Sequence, residues 1–148
     1  MTKFHFVYKY LKALNIPIDS EEFELQVLAH PNFPSILSIT DTLAFMGIQN
    51  KVYKIDISDF DKLGNNFVGL LSADINDGIF FSHIKKNDNK YFYLDRIGKS
   101  YIQIGRKEIK SYFKNVILIV EPYEQNENKS SCIILCLRKI KFNFTGRC

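Results

Sequence analysis

The run FFSHIKKNDNKYFYLD, residues 80–95, decides the fold. Two stretches rich in Phe, Tyr and Ile flank the polar triplet Asn87-Asp88-Asn89, the pattern of two strands joined by a tight turn. Downstream, a turn at Gly98 leads into SYIQI, residues 100–104, a further short strand. Lys107 to Phe113 suits a short helix, and NVILIVEP, residues 115–122, reads as a buried strand by composition. Upstream, NKVYKID at 50–56 alternates, with Val52 and Ile55 among polar residues, and NNFVGLLS at 65–72 is a short apolar run bounded by Gly and Asn.

Before Gly47 the apolar period is helical. Phe4, Val7, Tyr8, Leu11 and Leu14 fall on one face of a helix over residues 4–14, which Asn15-Ile16-Pro17 ends. Asp19 followed by Glu22 has the spacing of a capping box and opens a helix from about 20 to 29, with Leu25 and Leu28 directed inward. Pro31 and Pro34 in HPNFPS forbid its continuation. Ser35 is a good N-cap for a third helix, ILSITDTLAFM, closed by Gly47. The order is three helices, then five or six mostly antiparallel strands with one late helix. That is an α+β layout, with helices packed on one side of a sheet.

The chain of 148 residues suits one domain with a real core and needs no staples. The polar segment EQNENKSS, 124–131, ends that unit, giving a domain at 1–123 and a tail at 124–148. The net charge of +4 is uneven: Lys129, Arg138, Lys139, Lys141 and Arg147 all lie in the tail, without an acidic residue from 128 onward. Such a tail is a solvated end, or touches a membrane surface or nucleic acid. The solvated end is the simpler reading, and no nucleic-acid partner is expected. All three cysteines, Cys132, Cys136 and Cys148, also lie there, which is no disulfide framework and fits a reducing compartment. The start is a charged amphipathic helix rather than a signal peptide, and CIILCL is far shorter than the ~20 residues a membrane span needs. No transmembrane segment is expected in this chain.

Candidate chemistry is sparse. There is no glycine-rich phosphate loop, no nucleophile elbow and no paired-cysteine metal spacing, so neither a metal site nor a cofactor is expected. His30, beside Pro31, suits a capping or packing role, and His83 lies mid-strand. A histidine on one strand and Asp95 at the end of the next could make a base and its orienter. The matching nucleophile, a cysteine at the start of the first helix, is missing: residues 1–30 hold no cysteine.

KYLKALNIPID at 9–19, the segment from Glu21 to Asp56, and residues 80–122 together resemble the family-39 cysteine peptidases. These are papain-like domains that cut bacteriocin leader peptides after a double glycine, usually at the front of a peptide-exporting ABC transporter. The likeness spans residues 4–122. HPNFPS and SITDTL resemble a degenerate branch, found beside peptide exporters or ahead of a vitamin K epoxide reductase-like membrane domain and a thioredoxin-like domain. The resemblance implies a papain-like fold, a bacterial source and a cytoplasmic location, free or at the inner face of the membrane through a larger partner.

The departures from that family decide the expected function. The family's cysteine would fall near His5 to Tyr8, and its oxyanion-stabilising glutamine a few residues earlier; both are absent. Its histidine would fall about sixteen residues before the aspartate, at Ile79. His83 lies four residues further on, roughly 13 Å away at ~3.3 Å per residue. No catalytic set is intact, and Asp95 and His83 are its vestigial candidates. Asp95 is followed by Arg96, where the family commonly has proline. The first expectation is an inactive peptidase-like domain that binds a peptide, a leader segment or an unfolded chain, with Phe33, Phe80, Phe81, Tyr91 and Tyr93 as candidate contacts. Alternation would turn half of the four strand aromatics, Phe80, Phe81, Tyr91 and Tyr93, into the core. Two other readings stay open: an active leader peptidase using His83, Asp95 and another nucleophile, and a docking module for adjacent domains of a membrane thiol-redox protein.

Overall fold

The computed structural model describes residues 3–74 and 78–121. Three helices come first: α1 (His5–Ala13), α2 (Ser20–Ala29) and α3 (Ile36–Phe45). Strand β1 (Asn50–Lys54), a 3₁₀ turn (Ile57–Lys62), β2 (Asn66–Asp74), β3 (Gly78–Asn87), β4 (Lys90–Leu94), β5 (Tyr101–Ile104), α4 (Arg106–Tyr112) and β6 (Phe113–Val120) follow. The six strands form one sheet in the order β1-β6-β2-β3-β4-β5, with every pairing antiparallel. The expected α+β layout of three N-terminal helices on an antiparallel sheet is the observed one. The tail from 124 onward, with its cysteines and basic residues, lies outside the described residues.

Local chemistry sets most boundaries. Asp19 accepts hydrogen bonds from the N–H groups of Glu21 and Glu22 at 3.1 and 3.2 Å, which caps α2. The box is half-built, because Glu22 accepts from Gln26 one turn on rather than reaching back to Asp19. Gly47, at φ +87, closes α3: its N–H donates to Ala44 and that of Ile48 to Leu43, a Schellman ending. Asn15, at φ +60, ends α1 in the same way, with Ile16 N–H on Leu11. Ser35 sits at the N-cap of α3 without a side-chain capping bond. Asp88 and Asn89, both at positive φ, form a two-residue turn between Asn87 and Lys90, matching the twist of the flanking strands.

The sheet has a core on each face. Helices α1–α3 cover one, with Val7, Tyr10, Leu11, Phe23, Val27 and Leu43 packed on Val52, Val68, Leu118 and Val120. The 3₁₀ turn and α4 close the other, where Phe60 and Ile109 meet Tyr53, Phe67, Ile84, Tyr91, Phe113 and Ile117. The helices therefore do not sit on one side alone. Central strands buried on both faces read as continuous apolar runs, which is why β6 looked buried by composition. Asp61 locks the second layer: it accepts from Arg106 at 2.6 and 3.0 Å, from Lys110 at 2.6 Å and from the Tyr91 hydroxyl at 3.3 Å.

Helix α2 turns its other face inward. Phe23 and Val27 are fully buried, whereas Leu25 and Leu28, expected inside, are 64% and 54% exposed. Phe23 meets Phe4 and Tyr8 of the first helical segment edge-to-face at 5.6 and 5.8 Å, and these contacts fix the rotation of α2.

The turn HPNFPS is a clip between α2 and α3. His30 Nδ1 accepts from the Asn32 N–H at 3.0 Å, so the ring proton sits on Nε2 and is donated to Asp41 Oδ2 at 3.0 Å. The ring thereby ties the turn to α3. Among the described residues no His, Cys, Asp and Glu side chains cluster to hold a metal.

Candidate functional site

Helix α1 begins over the end of the sheet where β3 starts and the β4–β5 turn reverses the chain. Two contacts fix it there. His5 rests against Gly98, where an added Cβ would lie 2.5 Å from His5 Cβ. Gly98 also has φ +86, so the close approach and the backbone conformation both require glycine. One residue on, the Phe6 ring stacks on Phe81 of β3, with centroids 6.1 Å apart. One helical turn later, Tyr10 covers His83 at 5.6 Å.

The positions to which the resemblance assigns a nucleophile and a base thus carry packed or apolar side chains. His5, Phe6, Val7 and Tyr8 start α1, and Ile79, two residues before Phe81 on β3, is 58% exposed. Of the other hydroxyl- or thiol-bearing residues near the start of the chain or in the tail, Thr2, Cys132, Cys136 and Cys148 lie outside the described residues. Ser20 is exposed at the start of α2.

His83 is 1% exposed and both ring nitrogens are engaged. The Tyr101 hydroxyl donates to Nδ1 at 2.7 Å, and Nε2–H donates to Asn66 Oδ1 at 2.9 Å. Burial, reinforced by the positive charges of Lys85 and Lys9, pushes its pKa down to about 4. The ring is neutral near pH 7. Burial likewise raises Tyr101 to about 12, so its hydroxyl stays protonated and remains a donor.

Asp95 is bound within its own turn. Oδ1 accepts from the N–H groups of Gly98 and Lys99 at 2.7 and 2.9 Å, and Oδ2 from the Ser100 hydroxyl at 3.0 Å. Burial pulls its pKa upward, but hydrogen bonds from Lys99, Ser100 and Gly98 outweigh that and hold the carboxyl below its usual range. No hydrogen bond or ion pair joins Asp95 to His83.

The five candidate contact residues divide between the two faces of the sheet. Tyr91 and Tyr93 are buried, at 2% and 8% exposure, in the core covered by α4, and half-buried Phe80 packs on that same core beneath Arg96. Phe33 and Phe81, both half-buried, belong to the helix side. The five do not converge on one groove. The sequence reading missed Asn66 and Tyr101, which lie 17 and 18 residues from His83. Only the sheet brings them to its two sides, and no local motif announces that.

The fold is that of a papain-like peptidase domain. Among solved structures it is similar to the peptidase domain of Streptococcus ComA, a bi-functional ABC transporter involved in a quorum sensing pathway. The TM-score is 0.57 at 11% identity, over 76% of this chain and 85% of that one. It is equally similar, at 0.57, to a double glycine motif protease from an AMS/PCAT transporter solved with the leader peptide. There the identity is 17%, over 82% of this chain and 81% of that one. No protein-family model matches the sequence. No curated protein matches it either.

Proposed function

We propose that this chain is a peptide-binding domain built on a peptidase frame and without peptidase chemistry, acting in peptide processing or export. One observation carries the reading. Where α1 meets β3, at the positions to which the resemblance assigns a thiolate and its base, Phe6 stacks on Phe81 and Ile79 is an exposed aliphatic side chain. A papain-type mechanism needs a thiolate within hydrogen-bond reach of an adjacent base. His83 cannot substitute, because Tyr101 and Asn66 occupy both its nitrogens and Tyr10 covers its face. Likeness in fold to two transporter peptidase domains, one of them a double glycine motif protease solved with the leader peptide, supports a peptide as ligand. Phe81 and Phe33 are the contacts retained from the sequence. Among the described residues no helix is long and apolar enough to cross a membrane, and the proposed location is the cytoplasm, at the inner face of the membrane where a larger partner anchors the domain.

The test is an NMR titration of the labelled chain with a double-glycine leader peptide, the same sample being followed by mass spectrometry. Shifts at Phe6, Ile79, Phe81 and Gly98 with intact peptide are expected. Cleaved peptide would overturn the loss of chemistry, and absence of shifts would overturn peptide binding.

The exposure of Leu25 and Leu28 favours a second reading, in which the outer face of α2 docks this domain on a neighbouring one. Co-purification with the neighbouring domain, lost in L25S/L28S, would support it.

A further inference from the structure

On the helix side, α1 lies over β2 and β3. Beside it Phe92 and Tyr101 are half-buried and Gln103 is exposed, so this part of the sheet forms the floor of an open trough. Lys85 of β3 pairs in register with Phe92, and Phe92 with Gln103, which places all three on that floor. A depression of about 450 Å³ at its lower end is lined by Asn65, Asn66, Lys85, Lys86, Asn87 and Phe92.

Lysines of β3 and of α1 stand near the buried His83 beside this floor. The Lys85 ammonium sits 3.8 Å above the centre of the Tyr101 ring. Lys9 projects from α1, and both lysines are close enough to His83 to repel a proton from it. Lys9 and Lys85 are half-buried, and neither forms an ion pair with an acidic residue of the described chain. Two half-withdrawn ammonium groups without a counter-charge raise the local potential and favour an incoming anion. A polar donor stands beside them: the Asn66 carbonyl oxygen is taken by His83, and its NH₂ group has no acceptor among the described residues. The Tyr101 hydroxyl is committed to His83, so its ring serves as a wall rather than a donor.

We infer that the trough between α1 and β3–β5 is a subsite for the carboxylate of an acidic side chain in a bound peptide, held by Lys9, Lys85 and the Asn66 amide. The inference rests on the peptide-binding reading above and adds a specificity to it. The site is lysine- and amide-lined and shallow, which suits one carboxylate presented from an extended or helical segment. The phenyl floor of Phe92 and the Tyr101 ring would pack the aliphatic part of a glutamate.

The experiment uses the full chain, ¹⁵N-labelled, at low salt. It is titrated with an acetylated tetraglutamate amide, with the tetraglutamine equivalent and with inorganic phosphate. Shifts confined to Asn66, Lys85, Phe92 and Tyr101 with tetraglutamate, and absent with tetraglutamine, are expected. K9Q and K85Q should each weaken binding roughly tenfold, while K12Q, an exposed lysine one turn along α1, should leave it unchanged. Equal binding of tetraglutamine, equal shifts with phosphate, or indifference to both K9Q and K85Q would overturn the subsite. A double-glycine leader provides the separation from the parent reading. If the leader binds and its Glu→Gln form binds equally well, the subsite falls and peptide binding stands. If tetraglutamate binds at this trough and the leader does not bind at all, the subsite stands and the leader reading falls.

Discussion

His83 makes stability depend on pH between about 4 and 6.5. Its pKa is about 4 in the folded chain against an ordinary 6.5, a difference of about 2.5 units, or roughly 3 kcal/mol at 1.36 kcal/mol per unit. Because the folded value is the lower one, the unfolded chain binds the extra proton between these limits. Stability from this group is complete above about pH 6.5, falls as pH drops through the window, and reaches its minimum near pH 4. The carboxylates act lower down. Asp61, held near 2 by the hydrogen bond from Arg106 despite the opposing effect of burial, loses its contribution only as pH falls below about 3.8. Urea unfolding of the native chain and of H83Q from pH 7.5 to 4.5 separates the two. Glutamine keeps a donor and an acceptor but does not titrate. The gap in unfolding free energy between the native chain and H83Q should shrink by about 2 kcal/mol or more on going from pH 7.5 to 4.5. A gap that stays constant over this range would refute the claim that His83 is buried in neutral form.

Gly98→Ala should cost about 2–4 kcal/mol, since the new Cβ would collide with His5 in a left-handed backbone, and thermal unfolding would register it. A loss below about 0.5 kcal/mol would show that α1 does not rest on the β4–β5 turn. Val27→Ala should cost about 1–3 kcal/mol and Leu25→Ala less than about 0.5 kcal/mol, a contrast readable from urea midpoints; similar losses would mean that α2 is rotated from the orientation described. Asp61→Asn should loosen α4 by about 1 kcal/mol, reduced by the exposure of Arg106, and hydrogen exchange at Ile109 should accelerate; unchanged exchange would contradict the lock.

The readable elements were those whose cause is local. A two-residue turn needs residues that tolerate positive φ, and Asp88-Asn89 announces it. Gly47 and Asp19 cap their helices through bonds within a few residues. The apolar run of β6 belongs to a strand buried on both faces whatever its neighbours are. The lack of a cysteine in residues 1–30 was legible too, because it is a fact of composition.

The features that eluded the sequence depend on distant partners. SEEFELQVLA offers apolar residues on more than one helical face, and periodicity cannot choose between Phe23 with Val27 and Leu25 with Leu28. The rings of Phe4 and Tyr8 make that choice. In the same way, His83 could be read as a base until register set Asn66 and Tyr101 at its two nitrogens and α1 set Tyr10 on its face. The sequence by itself determined the order of elements and their turns, because each follows from neighbouring residues. The tertiary structure alone decided which helix face is buried and which partners hold the two nitrogens of His83, because burial and hydrogen bonding act through space rather than along the chain.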